Sequence, residues 1–178
     1  MTIPKYARIE FERRFLVDTQ AEWRNGIEPY SKRLEDRYLS CGRLRLRRMQ
    51  DSDTGKVTFK LTKKYESDSP FAQPIVTTLL SEPEFKAFST LAGFALTKTR
   101  HYHEWNGVIF SIDVFEGELS GLVLCETEQA DSLDQLRAIR FPNYARWEVT
   151  ENQFFTGGQL CRAARTQMIH EVNAAAQQ

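Results

Sequence analysis

The chain has 178 residues, enough for one domain with a real core. Hydrophobic residues are 41% and charged residues 27%, a balance that excludes a disordered chain. Lys plus Arg is 24 and Asp plus Glu is 24, so zero net charge excludes a general pull toward nucleic acid or acidic membranes, and any anion site must be local.

The elements follow in chain order. "IEFERRFLV" (9–17) alternates and reads as a first strand, with Glu10, Glu12 and Arg14 on one face and Ile9, Phe11 and Phe15 mostly on the other. "TQAEWRN" (19–25) is a turn or short helix. Strands follow at 32–40, 43–49 and 56–64, the last two around the turn "DSDTG" (51–55), and a fifth strand at 75–81. Ser81, an early Pro83, first-turn acids and Gly93 bracket a helix over 82–93. Strands resume at 95–105, 108–117 and 122–129, the first two joined by Asn106-Gly107. A short helix at 132–140, an extended piece at 146–150 and a terminal helix at about 157–175 complete the chain. The terminal helix carries Leu160, Ala164, Met168 and Val172 on one stripe, packed on the strands. Sequential hairpins without βαβ spacing predict a single α+β domain over 1–178, mainly β, its sheet curled or closed into a barrel.

Alternation sorts charge by strand. Glu10, Glu12, Asp113, Glu126 and Glu128 are acids; Arg14, Arg45, Arg47, Lys60, Lys98 and Arg100 are bases. For any one strand a solvated face explains the charge. The whole set is different, because single-sign rows repel unless a ligand of opposite sign sits among them. A polyanion needs convergent guanidinium and ammonium groups. Mg²⁺ needs a few carboxylates plus phosphate oxygens and water, and Glu10/Glu12 and Glu126/Glu128 each aim two carboxylates one way. The sum is a metal–polyphosphate site in a strand-built channel.

Other residues read more plainly. His101 and His103 share a face without further histidines nearby and read as a satisfied or exposed pair. Cys125 reads as core, and Trp23, Trp105 and Trp147 as packing. Cys41, Cys125 and Cys161 show no CxxC spacing, which with no long apolar run and no signal-like start predicts a cytoplasmic protein with reduced thiols.

"EFERRFLV" resembles the ExExK opening of the CYTH superfamily, the triphosphate tunnel metalloenzymes. The likeness continues in order through "RYL" (37–39), "RLRLR" (43–47), "VTFKLT" (57–62), "TKTRH" (97–101), "FSIDVFEGELSGLVLCETE" (110–128) and "WEVT" (147–150). The resemblance implies an eight-stranded antiparallel barrel, a triphosphate tunnel with flanking helices, that binds Mg²⁺ or Mn²⁺. By motif, Glu10, Glu12, Asp113, Glu126 and Glu128 correspond to the metal side. Arg14, Arg45, Arg47, Lys60, Lys98 and Arg100 correspond to the phosphate side, with Glu10, Glu12 or Glu128 orienting a water. The chain departs from the pattern at Arg14, where the motif has Lys, and at "PIVTTLLS" (74–81), where an acidic pair is common. It departs again near Asp36, where a Gln is usual, and in "FFTGGQLC" (154–161) at the family's ending. The expected activity is metal-dependent hydrolysis of inorganic triphosphate or a triphosphate-bearing compound. The alternatives are a class IV-type adenylate cyclase and a non-catalytic polyphosphate- or nucleotide-binding module. The expected partner is a small triphosphate, with no nucleic acid or membrane, in a monomer or homodimer.

Overall fold

The computed structural model describes residues 3–177. Its strands are β1 (Arg8–Phe11), β2 (Arg13–Val17), β3 (Ser31–Leu39), β4 (Leu44–Asp51), β5 (Val57–Lys64), β6 (Ala72–Leu80), β7 (Gly93–Trp105), β8 (Val108–Phe115), β9 (Val123–Thr127) and β10 (Ala145–Glu148). Its helices are α1 (Glu82–Ser89), α2 (Leu133–Ala138), α3 (Gly157–Leu160) and α4 (Arg165–Ala175). The strands form one antiparallel sheet in the order β1-β6-β5-β4-β3-β7-β8-β9-β2-β10.

The ends of that order explain the tunnel. β1 pairs with β6 and β2 with β9, yet Glu12 alone separates them. The first strand therefore bends at Glu12 and reaches both sides of a curled sheet, with the Glu12 N–H donating to the Phe71 carbonyl at 3.1 Å. The ladder is interrupted at this bend rather than running round unbroken. With β1 and β2 counted as one bent strand, and the short β10 set apart, the wall has the expected eight strands.

Residues directly opposite in an antiparallel pair share a face, so register carries one inner face from strand to strand. Lys60 lies opposite Arg47, and Arg47 opposite Asp36. Lys32 lies opposite Arg100, Arg100 opposite Asp113, Ser111 opposite Glu126, and Glu126 opposite Arg14. The charged parity is thus the inner one.

At one end the inner face turns apolar. Leu16, Leu96, Phe115, Leu122 and Leu124 form a buried cluster with Phe155, Leu160 and Met168 from the C-terminal segment. Burying each such side chain is worth about 1.5–3 kcal/mol, so this cluster anchors the C-terminal segment against the sheet. A second core lies on the opposite face of β2, β8 and β9, where Phe15, Phe110, Ile112, Val123 and Cys125 meet Trp23 and Tyr144 from connecting segments. Connecting segments rather than helices thus cover the outer apolar face of these three strands. Helix α1 covers part of β4 and β5, with Phe85 against Phe59 at 4.5 Å. The single helix expected over 157–175 is also corrected. α3 ends at Leu160, and exposed Ala164 becomes the extended N-cap of α4. The break lets Leu160 and Met168 enter the same cluster.

Candidate active site

The inner face encloses a cavity of about 270 Å³. Nine basic side chains and four carboxylates line it, with Tyr38, Thr62, Thr77 and Tyr102. Phe115, Leu124, Phe155 and Leu160 supply its apolar part. Glu10, Glu12, Arg14, Arg45, Arg47, Lys60, Lys98, Arg100, Glu126 and Glu128 all line it, so alternation brings ten of the eleven candidate residues together.

The eleventh is Asp113. It lies on the inner face, but its side chain is wholly buried and is not part of the lining. Lys98 Nζ bonds its Oδ2, Arg100 Nε donates to Oδ1 at 2.7 Å, and Arg100 Nη2 donates to Oδ2 at 2.7 Å. Both Asp113 oxygens are thus taken by cations beneath the cavity surface. Asp36 does the same for Arg47, with Nε to Oδ1 at 2.5 Å and Nη2 to Oδ2 at 2.6 Å. Burial alone would raise both aspartates. The guanidiniums of Arg47 at Asp36 and of Arg100 at Asp113 outweigh it and hold each below the usual carboxylate range.

The carboxylate side is also paired. Arg14, where the motif has Lys, donates from Nη2 to Glu12 at 2.7 Å and from Nε to Glu126 at 2.8 Å. Arg100 Nη2 reaches Glu126 at 3.1 Å. Lys64 Nζ donates to Glu10 at 3.0 Å. Glu128 enters none of the ion pairs among the described residues. As a residue it is exposed, yet loss of solvent around its carboxyl, then the Glu10 and Glu12 charges, push it up to about 7.

Arg45 and Lys60 likewise enter none of those ion pairs. Arg45 Nε is buried without a hydrogen-bond partner among the described residues. Burial, then the charges of Arg47 and Arg45, hold Lys60 below the usual lysine range. Such unmet positive charge asks for an anion.

Lys64, Lys32, Tyr102 and Arg8 also line the cavity and were not among the sequence candidates. Lys64 continues the Lys60 parity at i+4, and Lys32 and Tyr102 follow from register with Arg100, so the signal was present. The histidine pair is not part of this site: His101 packs near Trp23, and His103 Nδ1 lies 2.7 Å from the Tyr144 hydroxyl. Cys125 is fully buried, and burial pushes its thiol up.

Solved structures share this architecture. One described as the inorganic triphosphatase NE1496 is 24% identical, covers 86% of this chain and 95% of its own, and has a TM-score of 0.56. Another, described as the hypothetical protein NE1496, is 25% identical over 87% of this chain and 99% of its own, at 0.57. HpAC1 from Hippeastrum, whose structure is described as revealing a dominant triphosphatase activity, is 10% identical over 72% of this chain and 82% of its own, at 0.50. The fold is the triphosphate-tunnel fold of the CYTH superfamily. No protein-family model and no curated protein matches the chain.

Proposed function

We propose that the protein is a metal-dependent triphosphatase whose substrate is inorganic triphosphate. The observation that carries this reading is the cavity itself: nine basic side chains against four carboxylates, with Arg45 and Lys60 in no ion pair among the described residues. Its volume of about 270 Å³ falls at the lower edge of pockets for organic ligands, roughly 300–1,000 Å³. That favours a compact anion. The fold shared with a protein described as an inorganic triphosphatase supports the same reading.

Among the described residues no three His, Cys, Asp or Glu side chains converge as a closed metal cage. The donor set still fits a hard divalent cation of the Mg²⁺ kind, which takes one or two carboxylates and completes its shell with phosphate oxygens and water. Burial first, and then the charges of Glu10 and Glu12, raise the Glu128 carboxyl, so these carboxylates stand close enough to interact. Glu10, Glu12 and Glu126 would hold Mg²⁺ or Mn²⁺, with Glu128 beside them in the lining. The ion would supply charge neutralisation on the phosphoryl oxygens.

The chain's own residues do the rest. Arg45, Lys60 and Lys98 bind the phosphate oxygens, and Arg47 and Arg100 offer their Nη1 edges. Arg14 cannot act as a base, because its pKa keeps it charged; it holds Glu12 and Glu126 in place. Glu128 takes the proton of the attacking water, since it alone among the four carboxylates is not committed to a cation. One P–O bond to the water forms as a bridging P–O bond breaks, and the basic wall stabilises the charge on the departing phosphate.

The cytoplasm is the proposed location. No helix among the described residues is long and apolar enough to cross a membrane.

Phosphorus NMR of the purified protein with tripolyphosphate, then ATP, with and without Mg²⁺ or Mn²⁺, tests the reading. Orthophosphate plus pyrophosphate from tripolyphosphate, only with metal, is the expected result. Pyrophosphate plus cyclic AMP from ATP would make the protein a cyclase. Shifted substrate signals without product would make it a binding module.

A further inference from the structure

We infer that Asp113 is not a metal ligand but a positioning residue for the phosphate-binding wall. With Asp36 it forms a buried anionic layer behind the cations. The inference rests on the function proposed above and assigns it a part that the charge pattern does not reveal.

Three observations carry it. First, both aspartate side chains have no exposed surface, and neither lines the cavity. A metal bound with phosphate in the cavity cannot reach Asp113 without displacing two cations. Second, the geometry repeats. Arg47 and Arg100 each present the Nε–Nη2 edge to an aspartate in a bidentate pair. That leaves Nη1 of each free of hydrogen bonds within the described residues. Two guanidiniums on neighbouring sides of the tunnel are thus held by one edge with the other end available. Third, the charge balance works in the empty state. Arg47, Lys98 and Arg100 would repel one another in a low-dielectric wall, and the two aspartates offset two of their three charges while leaving a net attraction for phosphate.

Preorganisation is what such a layer adds. A bidentate, buried carboxylate fixes the guanidinium plane before the ligand arrives, so less ordering is lost on binding. Lys98, a flexible point charge, is fixed by the same Asp113.

The test separates two bindings. Calorimetry measures tripolyphosphate affinity in metal-free buffer, and electron paramagnetic resonance measures Mn²⁺ affinity without phosphate. Asp113→Asn is expected to lose at least about tenfold in tripolyphosphate affinity, the order of a charged hydrogen bond, and to keep Mn²⁺ affinity within about twofold. A Mn²⁺ loss as large as that of Glu126→Gln would overturn the inference, as would unchanged tripolyphosphate affinity. Removing one partner of a buried network can unfold a protein, so Arg100→Gln with Asp113→Asn is compared with Arg100→Gln alone. Here Asp113→Asn is expected to cost clearly less tripolyphosphate affinity than in the wild type, because half of what it positions is gone. An equal cost in both backgrounds counts against the role. If the wild type bound no tripolyphosphate, the proposed function would fall and this role with it. If the wild type and Asp113→Asn bound it equally, only the role would fall.

Discussion

At the scale of single residues, pairing decides which side chains are free to act. Glu10, Glu12 and Glu126 each face a cation within 3.0 Å, whereas Glu128 enters no ion pair among the described residues. Glu128→Gln should therefore lower turnover of tripolyphosphate by about 10²–10⁴, the usual worth of a positioned general base, without lowering the melting temperature. Normal turnover in that variant would remove Glu128 from the mechanism. Arg45→Met offers the complementary case. It deletes a buried donor that has no partner among the described residues, so it should weaken tripolyphosphate binding about tenfold or more while melting changes little. Parallel losses in calorimetry and thermal melts would make Arg45 structural. Alternation placed these residues because a period of two fixes the face of every second side chain. It could not show how deep Asp113 lies, since depth beneath neighbouring cations depends on side-chain reach rather than on parity. The departure at Arg14 was legible as a substitution, but its clasp between Glu12 and Glu126 required the β2–β9 register.

At the scale of elements, most strands were legible and two features were not. The bend at Glu12 arises because the two halves of one alternating run find different partners, β6 and β9, a long-range choice with no local signal. The break between α3 and α4 is likewise set by burial of Leu160 and Met168 in one cluster. Gly157, at the start of α3, has a clear steric reason to be glycine. A Cβ there would lie 1.8 Å from the Tyr38 hydroxyl oxygen, and both residues line the cavity. Gly157→Ala should cost about 1–3 kcal/mol by overpacking and weaken tripolyphosphate binding as Tyr38 moves. Urea denaturation reads the first effect and calorimetry the second. Ser81→Ala is the contrasting element change. It breaks the capping box of α1, in which Ser81 and Glu84 bond reciprocally, and should cost about 1 kcal/mol. Because α1 packs on β4 and β5 outside the cavity, turnover should stay at the wild-type level; a large loss would mean that α1 supports the site.

At the scale of the whole molecule, a neutral chain contains a strongly basic cavity. Five of the nine lining cations are unmatched by lining carboxylates, while the chain as a whole is neutral, so the rest of the molecule carries the opposite excess. Composition alone could not show this, because net charge sums over the separation that the fold creates. The same separation gives a pH signature. Glu12, Glu126, Asp36 and Asp113 are all held low in the folded state. The stability they contribute is fully present above the unfolded values, roughly 3.9–4.3, and is lost as pH falls through the folded values. Glu128 has the opposite sign. Its folded carboxyl is pushed up to about 7, so between roughly 4.3 and 7 the folded state holds a proton that the unfolded chain has released. Stability from this group therefore falls as pH rises through that window. Half-buried His101 and His103, held below the usual histidine range, act in the other direction near pH 6. They occur in both proteins when the wild type is compared with Glu128→Gln, so their effect cancels in the difference. Without ligand, the melting temperature of Glu128→Gln relative to wild type should rise from pH 5 to about pH 7 and level off by pH 8. A flat difference would mean that neither burial nor the Glu10 and Glu12 charges raise the Glu128 carboxyl in the empty cavity.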